Sequence, residues 1–272
     1  VKAWPWLLVG AAGATLGSIA SVRPVRGQDT QELTVFAAAS LREAFQGLAR
    51  DFEQRHAGVR VRLNFAGSQE LRVQIEQGAR ADVFASADRR HLLALERQGL
   101  ASPAHVFARN LPVVIVPTAN PGKLTGFSDL PGAARIVVGA AEVPIGAYTD
   151  AILAKAEVVY GKKFRTTVLA HIRSRELDVR QVLAKVALGE ADAGIVYQTD
   201  ALAAQDKVTA LAIPESMNVM ADYPIAVLSA APAPALAAEW VAAVLAPPGQ
   251  HILGALGFRP VGATGNTGQH ER

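Results

Sequence analysis

Ser40, Ser68 and Tyr197 are the side chains best placed to do chemistry, and the chemistry they suggest is hydrogen-bond donation to an anion. Ser40 follows the apolar run Leu33, Val35 and Phe36 and precedes Leu41, Ala44, Phe45, Leu48, Ala49 and Phe52, which recur at helical spacing. It therefore sits where a strand turns into a helix. Ser68 stands at a similar junction, after the alternating strand Val59, Val61, Leu63, Phe65 and before a short helix carrying Leu71 and Ile75. Ile145 and Val179 also lie at helix starts and can offer only a backbone N–H, while Tyr197 ends an apolar strand with a phenol. Helix N-termini leave N–H groups unpaired and carry the positive end of the helix dipole. These five positions thus form a donor set for an oxyanion that needs no Lys or Arg. A local reading competes at Ser40: with Glu43 it matches the capping box S-x-x-E, which turns the hydroxyl back onto its own helix. Tyr197 likewise has a bland reading as a strand-end tyrosine, and Asp178 and Arg180 read as helix capping and local pairing, since a carboxylate facing a dianion repels it.

Other chemistries find no support. The chain has six histidines and no cysteine, and none of the histidines has metal-ligand spacing. His56 and His91 lie in polar stretches and are expected on the solvated surface. There is no G-x-S-x-G elbow, P-loop or dinucleotide glycine fingerprint. A secreted hydrolase using Ser40 or Ser68 as nucleophile needs a base that no histidine pattern nominates. The expectation is a protein that is not an enzyme and carries no cofactor or bare metal ion.

The elements that must position the donors alternate strand and helix, which argues for α/β layers with mostly parallel strands. A strand from Leu111 to Val116, followed by Pro117, Pro121 and Gly122, reads as a crossing into a second lobe, and the strand from Tyr223 to Leu228 as the crossing back. The expected division is residues 28–110 for the first part of lobe 1, 111–222 for lobe 2, 223–261 for the segment that returns to lobe 1, and 262–272 as a disordered tail. An Ala-rich helix from Pro234 to Leu245 should bury Trp240.

Residues 1–27 have the outline of a cleaved signal peptide: Lys2, an apolar run from Trp4 to Ala20, and small-residue cut sites at Ala20 or Gly27. A retained membrane anchor is the alternative. The formal net charge of +3 falls to zero without this segment, because Lys2, Arg23 and Arg26 go with it and no acidic residue does. A near-neutral body argues against nucleic-acid binding, which leaves a basic patch or stripe. With no cysteine there is no lipid-anchor site on the mature N-terminus, and the expected compartment is the periplasm.

Taken together, Val35-Phe-Ala-Ala-Ala-Ser40-Leu, Phe65-Ala-Gly-Ser68, Ala81-Asp-Val-Phe-Ala-Ser-Ala-Asp88, Val143-Pro-Ile-Gly-Ala-Tyr148, Asp178-Val-Arg180 and Gly194-Ile-Val-Tyr197 resemble the periplasmic molybdate-binding proteins of ABC transporters, in order from Glu32 to Pro260. The resemblance implies a type II periplasmic binding protein, two α/β lobes joined by a two-stranded hinge. It implies a tetrahedral oxyanion, molybdate or tungstate, held by Ser40 and Ser68 through hydroxyl and backbone, by the N–H groups of Ile145 and Val179, and by the Tyr197 hydroxyl. Implied partners are the transmembrane subunits of an ABC permease, with the receptor itself a monomer. Gly67 and Gln69 stand where the family often has more serines, and Ile145 where a smaller residue occurs, which narrows the crevice if its side chain faces the ligand. Receptors for sulfate or phosphate, and a solute-free sensor on the same fold, remain open at this point.

Overall fold

The structure, a computed structural model, describes residues 30–261; the expected leader and the tail from 262 lie outside them. Its two sheets have five strands each. In the first, β1 (Gln31–Ala38) runs parallel to β2 (Val59–Ala66) and to β3 (Val83–Ala85). β4 (His105–Asn110) completes this sheet through β10 (Ala221–Val227), which is antiparallel to both β3 and β4. In the second, β6 (Ile136–Gly139) is parallel to β7 (Ile172–Glu176) and β8 (Ala193–Tyr197), while β5 (Pro112–Pro117) runs antiparallel to β8 and β9 (Val208–Leu211). One strand therefore opposes the other four in each sheet, and it is the strand by which the chain enters the sheet from the other lobe.

The crossings lie side by side. Asn110 ends β4 one residue before Leu111 leads into β5, and Ala221 pairs with Asn110 as the chain comes back. Asn218 ties them further, its amide donating to the Pro112 carbonyl at 3.0 Å.

Helices cover both faces of the first sheet. On one, Phe45, Leu48 and Phe52 of α1 (Arg42–Arg55) pack with Trp240 of α8 (Pro234–Leu245), whose indole meets the rings of Phe45 and Phe52 edge-on at 5.9 and 5.3 Å. α9 (Pro247–Ala255) lies against them. On the other face, Leu71 and Ile75 of α2 (Ser68–Glu76) and Leu92 and Leu95 of α3 (Arg89–Arg97) bury Phe36 and Phe84. The second sheet carries α4 (Pro144–Tyr160), α5 (Lys162–His171), α6 (Val179–Ala187) and the short α7 (Gln198–Ala203). α2, α4 and α6 each start just beyond the carboxyl end of a strand, so their free N–H groups face the cleft between the lobes.

Candidate functional site

Ser40 lies in a single 3-10 turn, Ala39–Leu41, between β1 and α1, and it is 3% exposed. The capping box expected there is not made. α1 begins after Leu41 with no side-chain cap, and the Glu43 carboxylate instead reaches across the cleft to the Arg180 guanidinium. The local pattern lost to a charged partner 137 residues away. Ser40 Oγ lies 3.0 Å from the Tyr223 hydroxyl.

Ser68 is the first residue of α2, and its Oγ accepts the Ala87 N–H at 3.0 Å, leaving its own proton to be donated. Ile145 is the second residue of α4 and fully buried, with Cγ2 against Gly139, so this bulk goes into the core. Gly146 allows that helix start to approach β6: a Cβ there would lie 1.9 Å from the Ala140 carbonyl. Val179 is the first residue of α6. The Asp178 carboxylate caps this helix, accepting the N–H groups of Arg180 at 2.7 Å and Gln181 at 3.0 Å, and the Val179 N–H before them stays open to the cleft. Tyr197 ends β8; its hydroxyl is buried and has no hydrogen-bond partner among the described residues. Burial pushes its pKa well up, so the phenol keeps its proton and is a donor.

All five positions line one small cavity between the lobes, with small residues such as Ala38, Ala66 and Ala87 making much of the remaining wall. None of the lining residues is Lys, Arg or His. A free buried hydroxyl and several helix N-termini of both lobes converge on this small space. The arrangement can hold a small anion by neutral donors.

The surroundings differ from the sequence reading: Asp178 caps its helix as expected, but Arg180 does not pair locally. Arg180 sits between Glu43 and Asp200, its Nε 2.9 Å from an Asp200 oxygen. Asp200 is fully buried and accepts the Tyr197 N–H at 3.2 Å; burial raises its pKa to about 6 against the pull of Arg180. His91 is not on the surface as its polar neighbours suggested. It is 7% exposed, and its Nε2 lies 2.9 Å from the Glu142 carbonyl of the other lobe, so Nε2 carries the proton. Burial lowers its pKa, which keeps the ring neutral. Gln69 donates to the Leu177 carbonyl at 2.7 Å and Tyr148 to the Ala87 carbonyl at 3.4 Å, both across the cleft. These contacts depend on how two distant segments meet, and no local signal announces them.

A two-lobed α/β fold with a small cavity at the lobe interface, walled by both lobes, is the architecture of a solute-binding protein. The model for "Bacterial extracellular solute-binding protein" matches residues 33–259. The chain belongs to this family. It is 40% identical over 255 residues to the molybdate-binding protein ModA of Mycobacterium tuberculosis, covering 93% of this chain and 94% of that one. Among solved structures, the substrate-binding domain of a putative molybdenum ABC transporter from Clostridium difficile is 30% identical, with TM-score 0.64 over 85% of this chain and 99% of that one. The sulfate-binding protein SubI of M. tuberculosis has TM-score 0.77 over 86% and 88% at 17% identity, a likeness of fold alone.

Proposed function

We propose that this chain captures molybdate, and tungstate with it, in the cavity between its lobes and delivers it to the transmembrane subunits of an ABC permease. Ser40 and Ser68 supply hydroxyl and backbone donors from the first lobe, Ile145 and Val179 supply N–H groups from the second, and Tyr197 supplies its hydroxyl. The observation that carries this reading is the orphaned Tyr197 hydroxyl beside helix starts of both lobes in a cavity without a cation. The 40% identity to a molybdate-binding protein over nearly the whole chain supports the choice of anion.

The donor set also suits a fully ionised oxyanion. Molybdate, tungstate and sulfate present acceptors only, whereas hydrogen phosphate brings a proton that asks for an acceptor. Asp178 is the one carboxylate in the lining, and both its oxygens already accept hydrogen bonds, one from the Arg180 and Gln181 N–H groups and the other from the Gln181 side chain at 2.8 Å. Sulfate then has to be distinguished by size. The protein works as a monomer in the periplasm, exported by residues 1–27, with residues 28–110 and 223–261 forming one lobe and 111–222 the other.

Thermal unfolding of the leaderless protein with molybdate, tungstate, sulfate, phosphate and no anion tests the proposal. An anion at a hundred times its dissociation constant adds about 2.7 kcal/mol. Molybdate and tungstate are expected to raise the midpoint at concentrations where sulfate and phosphate do not. No shift with either at millimolar concentration overturns the reading.

A further inference from the structure

Tyr223 lies on β10, outside the cavity wall, yet it touches the donor set. Its ring is fully buried, edge-on to Tyr197 at 5.6 Å, and its hydroxyl is 3.0 Å from Ser40 Oγ. Two orientations of that hydrogen bond are possible, and the surroundings choose between them. If Ser40 donated to Tyr223, the phenol proton would be left without an acceptor in the interior, at a cost of roughly 1–3 kcal/mol, and Ser40 would show a dianion only lone pairs. If Tyr223 donates to Ser40, the phenol proton is satisfied and the Ser40 proton is free to point into the cavity. Asn110, the last residue of β4 at the crossing, holds this end of the arrangement. Its amide donates to Thr199 Oγ of the second lobe at 2.8 Å and its carbonyl accepts the Leu111 N–H at 2.9 Å, so both ends of this side chain are engaged away from the phenol.

We infer that Tyr223 is a positioning residue for anion capture: it donates its hydroxyl proton to Ser40 Oγ and so commits the Ser40 hydroxyl to donate to the bound oxyanion. The inference rests on the oxyanion reading above and deepens it, since it explains why a serine that its own helix does not use presents a proton and not a lone pair. Accepting one hydrogen bond also polarises a hydroxyl toward donating the next.

Calorimetric titration of molybdate into four proteins tests it: wild type, Tyr223→Phe, Ser40→Ala and the double variant. Tyr223→Phe should weaken binding about three- to ten-fold, the range of one hydrogen bond. In the Ser40→Ala background the same change should cost less than about two-fold, because Tyr223 acts only through Ser40. An equal loss in both backgrounds, or no loss in the single variant, overturns the assignment. Should Tyr223→Phe fail to fold, a ring-fluorinated tyrosine at 223 replaces it; its more acidic phenol is a stronger donor and should tighten binding, and unchanged affinity overturns the assignment. Wild-type protein that ignores molybdate overturns the functional reading and this inference with it, whereas wild-type binding with an indifferent Tyr223→Phe overturns this inference alone.

Discussion

Tyr197 and Ser68 show how a binding residue differs from a structural one at the scale of single atoms. Ser68 Oγ has a partner in the Ala87 N–H, so removing it costs the fold as well as the site. The Tyr197 hydroxyl has none among the described residues, and a buried polar group without a partner costs roughly 1–3 kcal/mol. Tyr197→Phe is therefore expected to leave the anion-free protein as stable or to stabilise it by up to that amount, while molybdate binding weakens tenfold or more. Denaturant unfolding without anion, set beside calorimetric titration, checks both signs; a destabilised anion-free protein with unchanged affinity would make Tyr197 a core residue and nothing else. The five positions that line the cavity were legible in the sequence as strand-to-helix junctions, which local patterning marks. The fate of Glu43 was not, since the S-x-x-E spacing carries no trace of Arg180, and the polar stretch around His91 gives no hint of the Glu142 carbonyl that buries it.

At the scale of elements, the strands and helices with strong periodicity are where the sequence places them, from the β1–α1 junction to α8. Four others have no comparable signal. β7 reads Ile-Arg-Ser-Arg-Glu and lies at a sheet edge, α5 buries only Phe164 and Val168, α7 is a six-residue turn of helix, and β4 follows a Pro-containing link with charged residues among its apolar ones. Their structure comes from the neighbours they pack on. The β8–α7 junction also carries a pH dependence. Asp200 accepts the Tyr197 N–H from inside the core, and its pKa is raised from 3.8 to about 6, chiefly by burial. A carboxyl raised in this way favours the folded state when neutral; that contribution is present below 3.8 and is lost as pH rises to about 6. The rise from 3.8 to about 6 corresponds to on the order of 3 kcal/mol. Asp200→Asn keeps an oxygen for the Tyr197 N–H and removes the titration. Denaturant unfolding of both proteins at pH 4 and pH 7 should show the variant gaining on wild type at the higher pH, and a constant difference would rule out the raised carboxyl.

For the whole molecule, the lobes touch at the cleft through Gln69 and Leu177, His91 and Glu142, Tyr148 and Ala87, and the Arg180–Glu43 ion pair. Each joins groups from different lobes, so each must break for the cavity to open. On the oxyanion reading, binding by closure is the expected mode: an anion held by one lobe would gain its remaining donors only as these contacts form. Gly67 makes this testable without touching a donor. It precedes α2 with φ −60° and ψ 141°, a conformation that any residue adopts. A Cβ there would nevertheless stand 2.4 Å from the Leu177 carbonyl oxygen, backbone of the opposite lobe, and against the Gln69 side chain, which can move aside. Alanine at 67 is thus harmless when the lobes are apart and excluded when they meet. Gly67→Ala should unfold within ~0.5 kcal/mol of wild type without anion, the usual range for substitutions that disturb no contact. Its molybdate affinity should fall tenfold or more, and the contraction that small-angle scattering detects when wild type binds molybdate should be absent. A variant that binds as tightly and contracts as far would mean that the anion is held without Gly67 and Leu177 coming together.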